Sequence, residues 1–156
     1  MSEPLIKQEY RDAFYTAFNE CYRGDQSAVS LSMMLLEVSQ VWDDLIDGDE
    51  VIKEDIDRVL KYLIYDIPIN PVYKLIPSMP DHLLNVYLRW RDATAMESEE
   101  KPDLEKTYML RAGIYDIFVI IAFHLFGDEW SKAVGVRIRK LYGETLASLK
   151  EEFNHA

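Results

Sequence analysis

The 156 residues, 49% hydrophobic and 12% aromatic, suffice for one packed core and are too few for two ordinary domains, so the expectation is a single domain over residues 1–156. With 29% charged residues and only six glycines and six prolines, the chain is neither collagen-like nor low-complexity nor disordered, because its apolar surface offsets the entropy of ordering. The 28 acidic against 17 basic residues leave a net charge of −11, which excludes direct nucleic-acid binding and adhesion to an anionic membrane; a cationic partner, metal ions or plain solubility remain.

Apolar residues recur three and four apart almost throughout, and no alternating strand pattern appears. This periodicity predicts an all-α bundle of about six helices. The first runs from about Leu5 to Tyr22, with Ala13, Phe14, Ala17, Phe18 and Cys21 as an inward stripe and Gly24 as its stop. Asp25 or Ser27 caps the second, whose apolar side carries Leu31, Met34, Leu35, Val38, Trp42 and Leu45, and which ends near Gly48. A third spans Glu54 to about Tyr65. The proline-rich stretch 67–80 comes next, with four prolines that predict an extended crossover lying against the bundle. Asp81 is expected to cap the fourth helix, which includes Val86, Tyr87, Trp90 and Met96, and the acid-rich ESEEKPDLE reads as a loop. The fifth covers Leu104–Phe126 and the sixth Asp128 to about Leu149, with Gly127 between them. The longest apolar run, Ile117–Phe126, is far shorter than the ~20 residues that cross a bilayer, so no membrane insertion is expected.

Cys21 is the single cysteine and has no disulfide partner, and the opening MSEPLIKQEYRD lacks a signal-peptide layout; both point to a reducing, cytoplasmic location. The tyrosine and tryptophan content predicts that some rings lie exposed on an interaction surface.

The stretch LLEVSQVWDDLIDGDE is the most informative, because Asp43, Asp44, Asp47, Asp49 and Glu50 crowd the C-terminal, negative pole of a helix, where acids cost stability unless a cation or solvent compensates. Asp43 and Asp47 lie one turn apart, with Asp44 three residues before Asp47, so carboxylates can converge on a hard cation. Glu37, Gln40, Asp44 and Asp47 form a polar line on the side opposite the apolar stripe. Read structurally, the same acids are a solvated helix end, with Gly48 left-handed and Asp49 or Glu50 capping the next element. An EF-hand register fails at Leu45, which stands where an oxygen ligand is needed.

Asp43-Asp44-Leu45-Ile46-Asp47 resembles the DDxxD motif of isoprenoid diphosphate and terpene synthases, which are all-helical. The resemblance covers about residues 35–50 and implies Mg2+ held by Asp43, Asp44 and Asp47 against a diphosphate. The second acidic motif of that family has only RWRDATAMESEE as its counterpart, where Asp92, Glu97 and Glu99 do not keep its spacing. Asp116 is the one carboxylate in a fifth helix that reads as buried on all sides, so it must be paired, with Arg89, Arg91 or Arg111 as partners, hydrogen-bonded, with Tyr115 as a donor, or protonated; the functional reading makes Asp116 or Asp92 a further metal ligand facing the DDxxD acids. Arg89 and Arg111 then become phosphate contacts. His124 reads as a core histidine and Cys21 has no neighbouring histidine, so nucleophilic catalysis finds no motif.

Over the whole chain, AVSLSMMLLEVSQVWDDLIDGD, the Asn-Pro crossover, LRWRDATAMESE and YMLRAGIYDIF resemble small proteins of tailed bacteriophages and prophages. That resemblance implies a role in the particle or in host takeover, in the host cytoplasm or the virion. Two functions are the resulting expectations. The first is a non-catalytic interaction or assembly module that binds a protein partner or copies of itself; the second is a Mg2+ site for a phosphorylated or diphosphate ligand.

Overall fold

A computed structural model describes residues 8–155. All regular elements among them are helical, and eight helices have eight residues or more: α1 Gln8–Cys21, α2 Gln26–Asp47, α3 Lys53–Lys61, α4 Met79–Glu97, α5 Leu104–Arg111, α6 Ile114–Phe126, α7 Asp128–Arg139 and α8 Leu146–His155. The expected start of the first helix at Leu5 lies outside the described residues.

The punctuation obeys local chemistry. Gly24 (φ +77) closes α1 and its N–H donates to Asn19 O at 2.7 Å. Asp25 caps α2, its Oδ1 accepting from Ala28 N at 2.9 Å. Glycines with positive φ at 48 and 127 end α2 and α6, Gly48 in the left-handed conformation. Elsewhere the caps differ from expectation: α4 begins at Met79, with Asp81 inside its first turn, and Ile52 precedes α3 without a side-chain cap.

The proline-rich crossover is helical rather than extended. Pro68 has no N–H to offer, and the turn before it widens into a π segment, Tyr62–Asp66, in which Ile67 N–H reaches Tyr62 O. Two short helical turns, Ile67–Ile69 and Pro71–Leu75, come next, each with its proline in the first positions where no helical N–H is required. Between them buried Asn70 accepts from Val72 N and Tyr73 N at 2.9 and 3.2 Å and donates to Ser27 O at 3.0 Å, which ties the crossover to the start of α2.

The fifth and sixth predicted helices each divide, which takes six to eight. At Ala112–Gly113 the carbonyls released by the break are taken by α4: Arg89 Nη2 donates to Met109 O at 2.9 Å and Trp90 Nε1 to Arg111 O at 3.2 Å. Counted across the break, Leu104–Phe126 is long and apolar enough by composition to cross a membrane, but Ile114, Ile117, Phe118 and Ile121 are buried in the core. The acid-rich loop lies at 98–103, close to its predicted place.

One core joins α1, α2, α4, α6 and α7 through Phe18, Tyr22, Leu31, Met79, Phe118, Ile121 and Ile138. Phe18 packs edge-on to Phe118 at 4.8 Å between centroids. The Tyr22 hydroxyl is buried and fully used: it donates to Phe118 O at 3.0 Å and accepts from Ser32 Oγ at 2.9 Å. Trp130 Nε1 donates to Cys21 O at 2.8 Å beneath the Arg23 guanidinium, which lies 4.1 Å from its ring. Of the predicted α1 stripe, Ala17, Phe18 and Cys21 are buried, Phe14 is half-buried and Ala13 faces solvent.

Candidate functional site

The polar line along α2 divides into two environments. Its first member, Glu37, is only 1% exposed, sealed under α1 and α3 by Arg11 (Nη1 to Oε1, 2.5 Å) and Arg58 (Nε to Oε2, 3.0 Å). The Arg11 contact is an ion pair by distance and lacks hydrogen-bond alignment. Arg58 also holds the buried Asp55 at 2.8 Å, and the Tyr62 phenol beside them is raised by burial and by the Glu37 charge. A helix-face pattern cannot foretell this cluster, because the two arginines come from other helices, 26 and 21 residues away; the signal in the sequence is an acid just after the buried run Leu31–Leu36.

The far end of the line carries the DDxxD acids. α2 has no basic residue in its last turn, and the compensating cation comes from α5. Arg111 sends Nε and Nη2 to the two Glu97 oxygens at 2.9 and 2.5 Å and Nη1 to Asp43 Oδ1 at 3.3 Å, with Nη2 also 3.4 Å from Thr94 Oγ1. Asp44 instead accepts from Gln40 Nε2 at 2.9 Å on its own helix, and Asp47 is exposed. Burial raises the Asp43 carboxyl to about 6; Asp47 and Asp44 push the same way and Arg111 opposes them. The folded chain thus binds this proton more tightly than the unfolded one, whose carboxyl titrates near 3.8, so the Asp43 contribution to stability falls as pH rises from about 4 to about 6.

The expected metal set is not brought together. Asp43 is engaged by a guanidinium and Asp44 by an amide, and among the described residues no three His, Cys, Asp or Glu side chains gather as a metal site. In this arrangement the acids are held by a guanidinium and an amide and are not converged on one point. Asp116 is half-buried rather than enclosed; it pairs with Arg89 at 2.5 Å and Arg139 at 2.6 Å, since α7 packs beside α6 and supplies a second base that the pattern did not offer. Its partners include neither Arg91 nor Arg111, and its bonds do not lead to the DDxxD acids. Asp92 is exposed and bonded to Arg91, and His124 is exposed rather than in the core.

The apolar stripe of α2 also changes character along its length. Leu31, Met34 and Leu35 are buried, but Trp42 and Leu45, expected to face inward with them, are 43% and 49% exposed, and Ile46 is exposed beside them. A 22-residue helix is about 33 Å long and outruns the core it packs on. Beside this tip α4 presents the exposed Tyr87, whose ring lies 6.5 Å from that of Trp42. A second exposed apolar set, Ile56, Leu60, Leu63 and Ile64, runs along α3 and the π segment. The expected exposure of aromatic rings is thus present, at Tyr10, Tyr15, Tyr65 and Phe123 as well. An open groove of about 290 Å³ between α1 and α2 is lined by Arg11, Asp12, Tyr15, Gln26, Val29, Ser30 and Met33.

No protein-family model, curated protein or solved structure matches this chain.

Proposed function

We propose that the chain is a small, non-catalytic helical interaction module that binds a protein partner through the tip of α2. The observation that carries this reading is the α2 tip itself, where Trp42, Leu45 and Ile46 are large apolar side chains left outside the core and the exposed Tyr87 ring of α4 stands 6.5 Å from that of Trp42. Scattered apolar residues need no explanation on a surface, whereas a grouped set with two aromatics is the composition of a binding hot spot. The phage resemblance extends the reading to a particle component or a host-takeover factor, acting in the virion or the host cytoplasm. The Mg2+ and diphosphate alternative is the weaker one, because Arg89 and Arg111, its phosphate contacts, are both bonded to carboxylates.

Immobilised wild-type protein is expected to retain from a phage-infected bacterial lysate a protein that the Trp42→Ser/Ile46→Ser/Tyr87→Ser variant does not, or to self-associate in sedimentation equilibrium where the variant does not. A strictly monomeric wild type that retains nothing beyond what the variant retains overturns the reading.

A further inference from the structure

We infer that the occupant of the α2 tip is a basic amphipathic helix of another protein. This rests on the interaction reading above and adds the chemistry of the partner. Trp42 and Ile46 are one turn apart and Leu45 lies beside Ile46, so α2 offers a short ridge of exposed apolar side chains, and Tyr87 of α4 stands next to it with its ring 6.5 Å from that of Trp42. An exposed apolar ridge flanked by an aromatic ring makes a seat for the apolar stripe of another helix.

The charge around that seat selects the occupant. Residues 42–52, WDDLIDGDEVI, hold five acids and no base. Asp47, Asp49 and Glu50 are exposed and Asp43 is half-exposed, and all of them sit at the negative end of the α2 dipole. Of the nearby bases, Arg111 is committed to Glu97 and Asp43, and Arg91, one turn beyond Tyr87, to Asp92, so the exposed Lys53 alone stands against the five acids. A second copy of this chain is the wrong occupant, since a two-fold contact at the tip sets these acids against their own counterparts and brings together two chains of net charge −11. A helix with lysine or arginine flanking a leucine-type stripe satisfies both features, with its cations over the acids.

The test uses a fluorescent 15-residue peptide of leucine and lysine at helical spacing, a permuted peptide of the same composition and a leucine–glutamate analogue, each titrated by anisotropy against the full chain. The lysine peptide is expected to bind saturably and to weaken with salt, about tenfold or more weaker to Ile46→Ser and to Asp47→Asn/Asp49→Asn, with the permuted and glutamate peptides bound weakly or not at all. All substituted side chains are exposed, and circular dichroism checks that each variant is folded. Absence of binding overturns the inference, and so does equal binding of the permuted peptide with no effect of Ile46→Ser, which marks unspecific charge attraction. A wild-type dimer dissolved by Ile46→Ser also overturns it, because a second copy is then the occupant, while the interaction reading stands.

Discussion

Arg58→Met is expected to remove about 3–5 kcal/mol of folding stability, whereas Glu37→Met at the other end of the same ion pair costs less than about 1 kcal/mol. The asymmetry stems from where each charge can go. Glu37 and Asp55 are buried, and without Arg58 the first keeps only Arg11 and the second loses the guanidinium that holds it. With Glu37 1% exposed and the Asp55 side chain 8% exposed, solvent compensates the lost guanidinium only in small part. Arg11 and Arg58 are themselves 41% and 37% exposed, so when Glu37 becomes apolar both retain access to solvent and Arg58 keeps Asp55. Urea unfolding of the two variants beside wild type measures the difference; equal losses contradict this order of burial.

Arg111→Leu is the second large effect, about 2–3 kcal/mol lost at pH 7 and less at pH 5. The Glu97 carboxylate is 12% exposed and loses both of its bonds to the guanidinium, and Asp43 and Asp47 lose the cation that opposes their repulsion. The pH dependence has a fixed sign. Asp43 titrates at about 6 with Arg111 present and higher without it, so acidification protonates it and relieves the repulsion first in the variant. Denaturant midpoints at the two pH values read this directly, and a loss that grows on acidification contradicts it.

Much of the fold is legible in the sequence because it is written locally. Glycines at 24, 48 and 127 and the Asp25 cap act within a few residues of themselves, and the three- and four-residue spacing of apolar positions needs no knowledge of neighbours. What escapes depends on distant partners or on length. Prolines alone predict an extended crossover, while Asn70 and the π turn at Tyr62–Asp66 accommodate them in helical turns. Trp42 and Leu45 continue a core-facing period past the point where there is core to face. The acids of α2 are visible as a conflict with the helix dipole, and that conflict is real, but the cation that answers it comes 68 residues later in Arg111, and Asp116 turns to Arg89 and Arg139. The same α2 pattern thus contains a buried ion pair at Glu37, a guanidinium-bound acid at Asp43 and an apolar tip, three environments that periodicity alone treats as one helix.

The acidic end of α2 is proposed as a protein-binding surface whose inward charge Arg111 already answers, and not as an ion site. Calorimetric titration of the wild-type protein with Mg2+, with and without inorganic diphosphate, tests this most directly. The expected result is no saturable heat under either condition. Saturable binding that strengthens with diphosphate and disappears in Asp43→Asn/Asp47→Asn contradicts it and returns the acids to the role that their motif resembles.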